Sequence, residues 1–522
     1  MLKINYTHYR EIKNNIDEIL GIFHKTFALI SGIFAKFCFY DGGFFPFIAF
    51  FMFYIVLTIL RKIPDETKLK NSFSTGFWFG IGYFGSTLYW VIQSFKCVGM
   101  GNYGYIAVIV LVLYLSLYSA LACLLTRLLQ TNRINQILFF CIFWVAGEYL
   151  RGIAFTGFPW NLIGYATLEI PYFCQAADIF GIYGISFIFL LAVTTLSYKK
   201  TFLYGIALSL ITLSYGYYKV EIFSDYKQLE HKNNITAVQA SIQQEDKLNP
   251  NKFRDNLEKH IALSNFSGVS DGKRLVIWPE AAINTTINSN NGVLEYISSH
   301  ISHPDTFIFT GADRRDANNT IYNSSCIIGT NAKILQTYDK RHLLPFGEFI
   351  PEFLLDLGLR KVTQGALNFS RGNASRSIKI NNFDQFDVLI CYEIVFPGEI
   401  LDNKDTKWIL NITNDAWFKV TDGPMQHLKT VCLRAIEEGR PIVRCANNGI
   451  SCIIDCKGKI ISKLNTNQIG AINSSVPSQY IETIYSRYKN MPIFFIMIIL
   501  FLATYIFRRK SKNIIDEQGK LM

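Results

Sequence analysis

Apolar residues in this chain come in runs, and the runs are confined to the first 218 positions and one stretch near the end. They lie near 25–40, 43–60, 72–92, 104–126, 136–150, 174–196, 202–218 and 491–507. A helix that crosses a bilayer needs about 20 mostly apolar residues, and each run approaches that length. Lys36 interrupts the first, so that either the lysine snorkels to the interface or the helix ends early. The pattern predicts four segments: a polar N-terminus at 1–24, a seven-helix membrane domain at 25–218, a soluble domain at 219–487, and a last span with a basic tail at 488–522. The first 20 residues are polar and show no cleavable signal peptide.

Charge orients these segments. The formal net charge is +11, which in a soluble protein would suggest a nucleic-acid partner. Here the basic residues fall in alternate loops. Arg61, Lys62, Lys68 and Lys70 follow the second run, Arg127 and Arg133 the fourth, Lys199 and Lys200 the sixth, and Arg508, Arg509, Lys510 and Lys512 the last. The intervening loops carry Lys96 and Arg151. The positive-inside rule then places both termini in the cytoplasm and 219–487 outside it. Nucleic acid is not an expected partner.

The 219–487 segment reads as α/β. Ile235–Ile242, Leu275–Trp278, Phe307–Thr310, Cys326–Gly329, Phe386–Cys391 and Trp408–Ile412 are short β-prone runs. Helical patterns cover Phe253–Ser267 and Gln426–Glu438, with Gly439 as a C-cap. Ile442–Ile461 reads as a hairpin turned at Lys457-Gly458. Eleven cysteines raise the question of disulfides or zinc. Cys38, Cys97, Cys123, Cys141 and Cys174 lie in or beside apolar runs, and the rest lack paired C-x-x-C spacing, so no metal and no cofactor is expected. Cys452 and Cys456 sit where an oxidising compartment would let them bridge, although Asp455-Cys456-Lys457-Gly458 reads first as a turn. His300 and His303 have no ligand set beside them and read as surface residues.

Three pieces of this segment carry chemistry. Leu275-Val276-Ile277-Trp278-Pro279-Glu280 ends a strand on a carboxylate. Tyr338-Asp339-Lys340-Arg341-His342-Leu343-Leu344-Pro345-Phe346-Gly347-Glu348 concentrates turn residues and charge. Val388-Leu389-Ile390-Cys391-Tyr392-Glu393 ends a strand on a thiol. Each alone has a structural reading, since a lone cysteine at a strand end is usually an apolar filler. Together they supply a thiol nucleophile, a carboxylate to take its proton and an ammonium to hold developing negative charge.

The three pieces resemble the Glu-Lys-Cys triad of the nitrilase superfamily. The resemblance narrows to the bacterial apolipoprotein N-acyltransferase family through Glu148-Tyr149-Leu150-Arg151-Gly152 and Thr156-Gly157-Phe158-Pro159-Trp160 in the membrane half. Asn414-Asp415-Ala416-Trp417-Phe418, Gln426-His427, Arg434-Ala435, Gly439-Arg440-Pro441 and Asn447-Asn448-Gly449-Ile450 extend it beyond the cysteine. It implies a four-layer α-β-β-α sandwich, a location in the inner membrane and a monomer, while the eight apolar runs and the loop charges give about eight spans and a periplasmic 219–487. It implies Glu280 as base, Lys340 as oxyanion holder and Cys391 as nucleophile. Glu348, Tyr392 and Glu393 would support them, Tyr392 through its main-chain N–H. The implied acyl donor is a membrane phospholipid, and the acceptor is the α-amino group of the S-diacylglyceryl cysteine that begins an apolipoprotein. A membrane-anchored amidase with water as acceptor is the alternative reading.

Two positions depart from the family pattern. Lys419 stands where glycine often follows Asn-Asp-Ala-Trp-Phe, and lysine resists backbone angles that glycine permits. Leu248 stands where tryptophan often follows the lysine at 247. Trp160, in a loop the charges place outside, reads either as an interfacial aromatic anchor or as part of an acyl-chain site. Glu148 and Arg151, one turn apart, are expected to pair with each other or with neighbouring helices. The apolar face of Phe349–Leu359 reads as a core helix or as a lid that dips into the outer leaflet, with Gly358 and Gly365 as hinges.

Overall fold

The computed structural model describes residues 23–39, 46–170, 172–265, 273–287, 291–301, 305–350 and 368–519. The Phe349–Leu359 helix or lid falls mostly outside them, as do Gly365 and His303. The chain divides into two units. One holds Met1–Tyr89, Ile106–Glu221 and Tyr488–Met522; the other holds Trp90–Tyr105 and Ile222–Arg487.

The first unit is helical. Helices occupy all eight apolar stretches, at His24–Ile33 with Ala35–Cys38, Pro46–Lys62, Lys68–Leu88, Gly101–Leu129, Arg133–Ile153, Ala177–Leu196, Phe202–Tyr217 and Met491–Gly519. Length separates them. Among the described residues four are long and apolar enough to cross a membrane: Gly101–Leu129, Arg133–Ile153, Phe173–Leu196 and Met491–Arg509. Phe47–Lys62 and Asp65–Leu88, bent by 107°, make a fifth if taken as one span. The expected count of about eight is therefore not reached by length. His24–Ile33 has 10 residues, a rise of about 15 Å. The helix breaks at Phe34, two residues before Lys36, whose ammonium lies over the Tyr89 ring at 5.4 Å.

Apolar side chains on these helices face outward. Ile106, Ile109, Val110, Leu113, Leu117 and Leu121 form one exposed stripe on Gly101–Leu129. Helical spacing of exposed aliphatics, with every backbone group bonded inside the helix, suits a lipid surface. Close helix packing uses small residues. Gly76 and Gly80 admit the backbone around Ser116, Ser119 and Ala120, and Ser119 Oγ donates to the Gly76 carbonyl at 2.8 Å.

Glu148 and Arg151 each hold the following loop. Glu148 Oε1 accepts the Ile163 N–H (2.8 Å) and the Trp144 indole N–H (3.2 Å). Arg151 donates to the carbonyls of Phe158, Trp160 and Asn161 at 2.9, 2.6 and 3.2 Å. Trp160 is buried, which corrects the reading of it as an exposed interfacial anchor, whereas Phe155 in the same loop is 86% exposed.

The second unit is a two-sheet sandwich. In one sheet the order is Gly470–Ser475, Asn234–Gln239, Arg274–Ile277, Thr306–Arg315, Ile321–Ile328 and Ile334–Asp339, with Ile283–Thr286 beside Thr306–Arg315. In the other it is Ile460–Leu464, Ser451–Ile454, Ile442–Ala446, Trp408–Thr413, Phe386–Ile390 and Ser377–Ile378. The central strands run parallel: Asn234–Gln239 with Arg274–Ile277 and Thr306–Arg315, and Phe386–Ile390 with Trp408–Thr413 and Ile442–Ala446. Alternation along each strand builds the layers. Leu275 and Ile277 face a core shared with Val388, Ile390, Leu410 and Ile412 of the other sheet. Val276 and Trp278 face outward onto Leu257, Ile261 and Ile297 of the helices Phe253–Asn265 and Asn291–His300.

Parallel strands require crossovers, so the central strands all end on the same side of their sheet, and loops gather there. The expected hairpin at Ile442–Ile461 is instead a three-strand meander. Ile442–Ala446, Ser451–Ile454 and Ile460–Leu464 pair antiparallel in succession, and Asn447-Asn448-Gly449 makes an additional turn. Cys452 and Cys456 are free thiols, and Asp455 caps the turn at Lys457-Gly458 by accepting from the N–H groups of Lys457 and Lys459, both at 2.9 Å.

Trp90–Tyr105, expected within the membrane domain, groups with the sandwich. Trp90 Nε1 donates to Gln426 Oε1 at 3.1 Å, and its ring meets Phe418 edge-on at 4.6 Å. Ser94 donates to the Trp417 carbonyl at 3.3 Å.

Candidate active site

Cys391 follows the strand Phe386–Ile390 and opens the short turn Cys391–Val395. Its φ is +51°, a left-handed conformation uncommon for a side-chain-bearing residue and a mark of strain that surrounding structure must impose. Glu393 imposes it. Its Oε2 accepts the Ile390 N–H at 2.7 Å, and its Oε1 accepts Tyr338 O–H (2.7 Å) and the main-chain N–H groups of Arg341 (2.8 Å) and His342 (3.2 Å). Glu393 thus ties the cysteine turn to the segment carrying Lys340. Tyr392 is buried, with its ring edge-on to Phe396 at 5.0 Å. Cys391 alone among the cysteines is partly exposed; the others are buried.

Glu280 follows the strand Arg274–Ile277 through Trp278-Pro279, and Ala281 after it has φ +48°. Its carboxylate is held from both sheets. Oε1 accepts Asn323 Nδ2 at 2.9 Å and faces Lys340 Nζ at 3.4 Å; Oε2 accepts the Asn414 N–H at 2.9 Å. Lys340 lies just past Ile334–Asp339, is 2% exposed, and sits 2.9 Å from Glu348 Oε1. Glu348 also accepts Asn323 Nδ2 at 2.6 Å and the Leu344 N–H at 2.7 Å. The structure therefore brings Glu280, Lys340, Glu348 and Cys391 into one buried cluster, with Tyr392 and Glu393 on the cysteine turn.

Electrostatics sort these groups into roles. Burial pushes the Cys391 thiol up, the Glu280 carboxylate adds to this, and Lys340 only partly opposes it. The resting sulfur is a protonated thiol. Burial also pushes Glu280 up, but Lys340, Asn323 and Lys247 outweigh it and hold the carboxyl below its ordinary range. Burial disfavours charge on Lys340, yet Glu348 and Glu280 more than offset this and keep it a cation. A thiol beside an ionised carboxylate beside a fixed ammonium suits nucleophilic attack with proton transfer to the carboxylate.

Behind the cysteine lies a second buried network. Arg444 Nη2 meets Asp415 Oδ2 at 2.6 Å, His427 Nδ1 lies 3.1 Å from Asp415 Oδ1, and Thr413 Oγ1 donates to Asp415 Oδ1 at 3.0 Å. Burial raises Asp415, but Arg444 and His427 together drive its carboxyl well below the usual range. Lys419, at the end of this loop, takes φ +51° and pairs with Glu245 at 3.0 Å. The lysine has kept a backbone angle that suits glycine.

The sequence did not single out Asn323 or Asn414 as contacts of Glu280. Asn323 bridges both carboxylates from the strand Ile321–Ile328, where a polar residue on a buried face was the only local signal.

Two family models match the chain in succession. The Apolipoprotein N-acyltransferase N-terminal domain matches residues 31–195, and the Carbon-nitrogen hydrolase domain matches residues 234–485. The chain is similar to an apolipoprotein N-acyltransferase of Rickettsia bellii, with 33% identity over 88% of this chain and 94% of the relative. The corresponding protein of Rickettsia typhi is 32% identical over 92% of this chain and 99% of the relative. That of Brucella melitensis is 32% identical over 79% and 81%.

Proposed function

Since the chain belongs to the apolipoprotein N-acyltransferase family, it acts in the N-acylation of lipoproteins, and we propose that it does so through a thioester on Cys391. The observation that carries this reading is the buried cluster of Glu280, Lys340 and Glu348 around a strained, partly exposed thiol.

The acyl donor is a membrane phospholipid. Cys391 Sγ attacks the ester carbonyl as its proton passes to Glu280, and a carbon–sulfur bond forms. Negative charge gathers on the carbonyl oxygen, where the Lys340 ammonium and the Tyr392 main-chain N–H hold it. The carbon–oxygen bond breaks, and the lysophospholipid leaves with the proton from Glu280. The α-amino group of a diacylglyceryl-cysteine then attacks the thioester and gives a proton to Glu280. The amide forms, and sulfur leaves and is reprotonated. Glu348 anchors Lys340 between two carboxylates, and Glu393 anchors the strained turn; neither exchanges a proton in this scheme.

Both substrates are bilayer-bound lipids, which gives a reason for the apolar helices of the first unit. The catalytic unit faces the periplasm of an inner membrane crossed about eight times, as the loop charges favour. The working unit is a monomer, supported by the fact that one chain supplies the whole cluster. A reporter after Lys200 is then cytoplasmic and one near residue 290 periplasmic; both on one side would reject this topology.

The testing experiment supplies detergent-purified protein with phospholipid and a diacylated lipopeptide. Mass spectrometry should find the lipopeptide heavier by one acyl group on its α-amine. Release of free fatty acid, with the lipopeptide unchanged, would point instead to a hydrolase.

A further inference from the structure

Lys247 is a buried cation that the acyl-transfer scheme leaves without a task. It ends the short helix Gln244–Lys247, and its side chain is enclosed. Its Nζ donates to the main-chain carbonyl of Glu280 at 2.8 Å. An ammonium has three donors, and among the described residues this carbonyl is its one hydrogen-bond acceptor.

The carbonyl it grips belongs to a constrained turn. Ala281 is left-handed at φ +48°. The Gly311 N–H donates to the Pro279 carbonyl at 3.2 Å, and a Cβ at Gly311 would collide with the Glu280 backbone. Asn284 Nδ2 donates to the carbonyl of Lys247 itself at 2.7 Å. At the other end of the helix, Gln244 Oε1 accepts from Asn414 Nδ2 at 2.9 Å, and the Asn414 N–H is the donor to Glu280 Oε2. One turn of helix thus clips the main chain of Glu280 directly and its carboxylate through Asn414.

We propose that Lys247 is a positioning residue for acyl transfer, whose ammonium fixes the Glu280 main chain and supplies, beside Lys340, a second positive charge that keeps Glu280 ionised as the base. The proposal rests on the reading of Cys391 as nucleophile and Glu280 as base. A main-chain tie needs only a neutral donor, and burying a cation is costly. The charge is therefore the informative part of this choice of residue.

The groups facing Lys247 support a functional proton. Burial lowers its pKa to about 8, with Glu280, Asp313 of Thr306–Arg315 and Cys391 of the nucleophile turn pulling it back up. His260 of Phe253–Asn265 is lowered to about 4, chiefly by burial and further by Lys247, so it is neutral there. On its own helix Glu245 is engaged by Lys419, and Asp246 is the remaining charge. Below about pH 8 the ammonium keeps its proton and helps hold Glu280 ionised. Removing this charge should therefore move the acid limb of acylation to higher pH.

The test compares the full-length unaltered protein, K247M, K247Q, K247R and C391A in detergent with phospholipid. The rate of the acyl adduct on Cys391 is followed by intact mass across acidic and neutral pH. K247M should be slower by about tenfold at mildly acidic pH, with its acid limb moved upward, and K247Q should resemble it, because both lack the charge. K247R should stay within about threefold and keep the unaltered acid limb, because arginine keeps the charge. Unaltered rates or an unmoved acid limb in K247M or K247Q overturn the proposal, as does an acid limb moved upward in K247R. If K247M fails to fold, the K247Q and K247R profiles decide. No adduct in the unaltered protein overturns the acyl-enzyme reading and this proposal with it. Equal adduct in the unaltered protein and K247M, with none in C391A, overturns this proposal alone.

Discussion

Glu280 and Asn414 belong to different sheets of the sandwich, yet the Asn414 N–H donates to Glu280 Oε2 at 2.9 Å. The Glu280 carboxylate, the proposed base, is therefore carried by one sheet and held by the other. Asn414 follows the strand Trp408–Thr413, next in the sheet to the strand that delivers Cys391. Packing of the two sheets, carried by Ile277, Ile390 and Ile412 in their shared core, sets the distance between Glu280 and Cys391.

Lys340 helps hold the Glu280 carboxyl ionised. Lys340 and Asn323 outweigh burial to keep the Glu280 carboxyl below its ordinary range. Glu280 works as a base only when ionised, so the acid limb of the rate lies at low pH and must move upward when Lys340 is removed. K340M should lower acyl-enzyme formation at neutral pH by about a hundredfold or more, through loss of oxyanion stabilisation. Its rate–pH profile should have an acid limb displaced toward higher pH. A slower variant with an unmoved limb would mean that Lys340 does not tune Glu280.

Asp415 and Arg444 are a buried pair whose disruption should cost stability. Removing one partner of such a pair typically costs about 3–5 kcal/mol, because the other charge is stranded. D415N and R444M should each lower the thermal midpoint, and the double variant should lose less than the sum of the two. The Asp415 carboxyl is held far down, so its contribution is present above its unfolded pKa and is lost as pH falls through the folded value. Unchanged midpoints in both single variants would show that the network contributes nothing to the fold.

Lys419 makes the opposite prediction. Its φ of +51° with ψ of −152° is glycine territory. Its ion pair with Glu245 is largely exposed, and such pairs contribute little. K419G should leave stability unchanged or raise it by about 1 kcal/mol, since relief of strain offsets the lost pair and the added chain entropy. A thermal midpoint that drops by several degrees would show that the ion pair with Glu245 outweighs the backbone strain.

Much of this was readable in the chain because each proposed triad residue lies just past the end of a strand. Glu280 and Cys391 close apolar runs, and Lys340 begins the turn after Ile334–Asp339. What the residues touch was not readable. Asn323 meets Glu280 across 43 positions and Asn414 meets it across 134, distances at which no local pattern carries information. The same holds for Trp90, whose partner Gln426 lies 336 residues away. Span count depends on something else. Composition identifies apolar runs, whereas breaks at Phe34 and between Lys62 and Asp65 decide their length.

The central claim is that Cys391 carries the acyl chain and Glu280 takes its proton. Unaltered protein, C391A and E280Q should each be mixed with phospholipid and no acceptor, and their masses measured. The unaltered protein should gain one acyl group on Cys391, removable by neutral hydroxylamine and lost on adding a diacylated lipopeptide. C391A should gain none, and E280Q should gain it more slowly by about a hundredfold or more. An adduct that persists in C391A, or that forms in E280Q at the unaltered rate, would contradict the account.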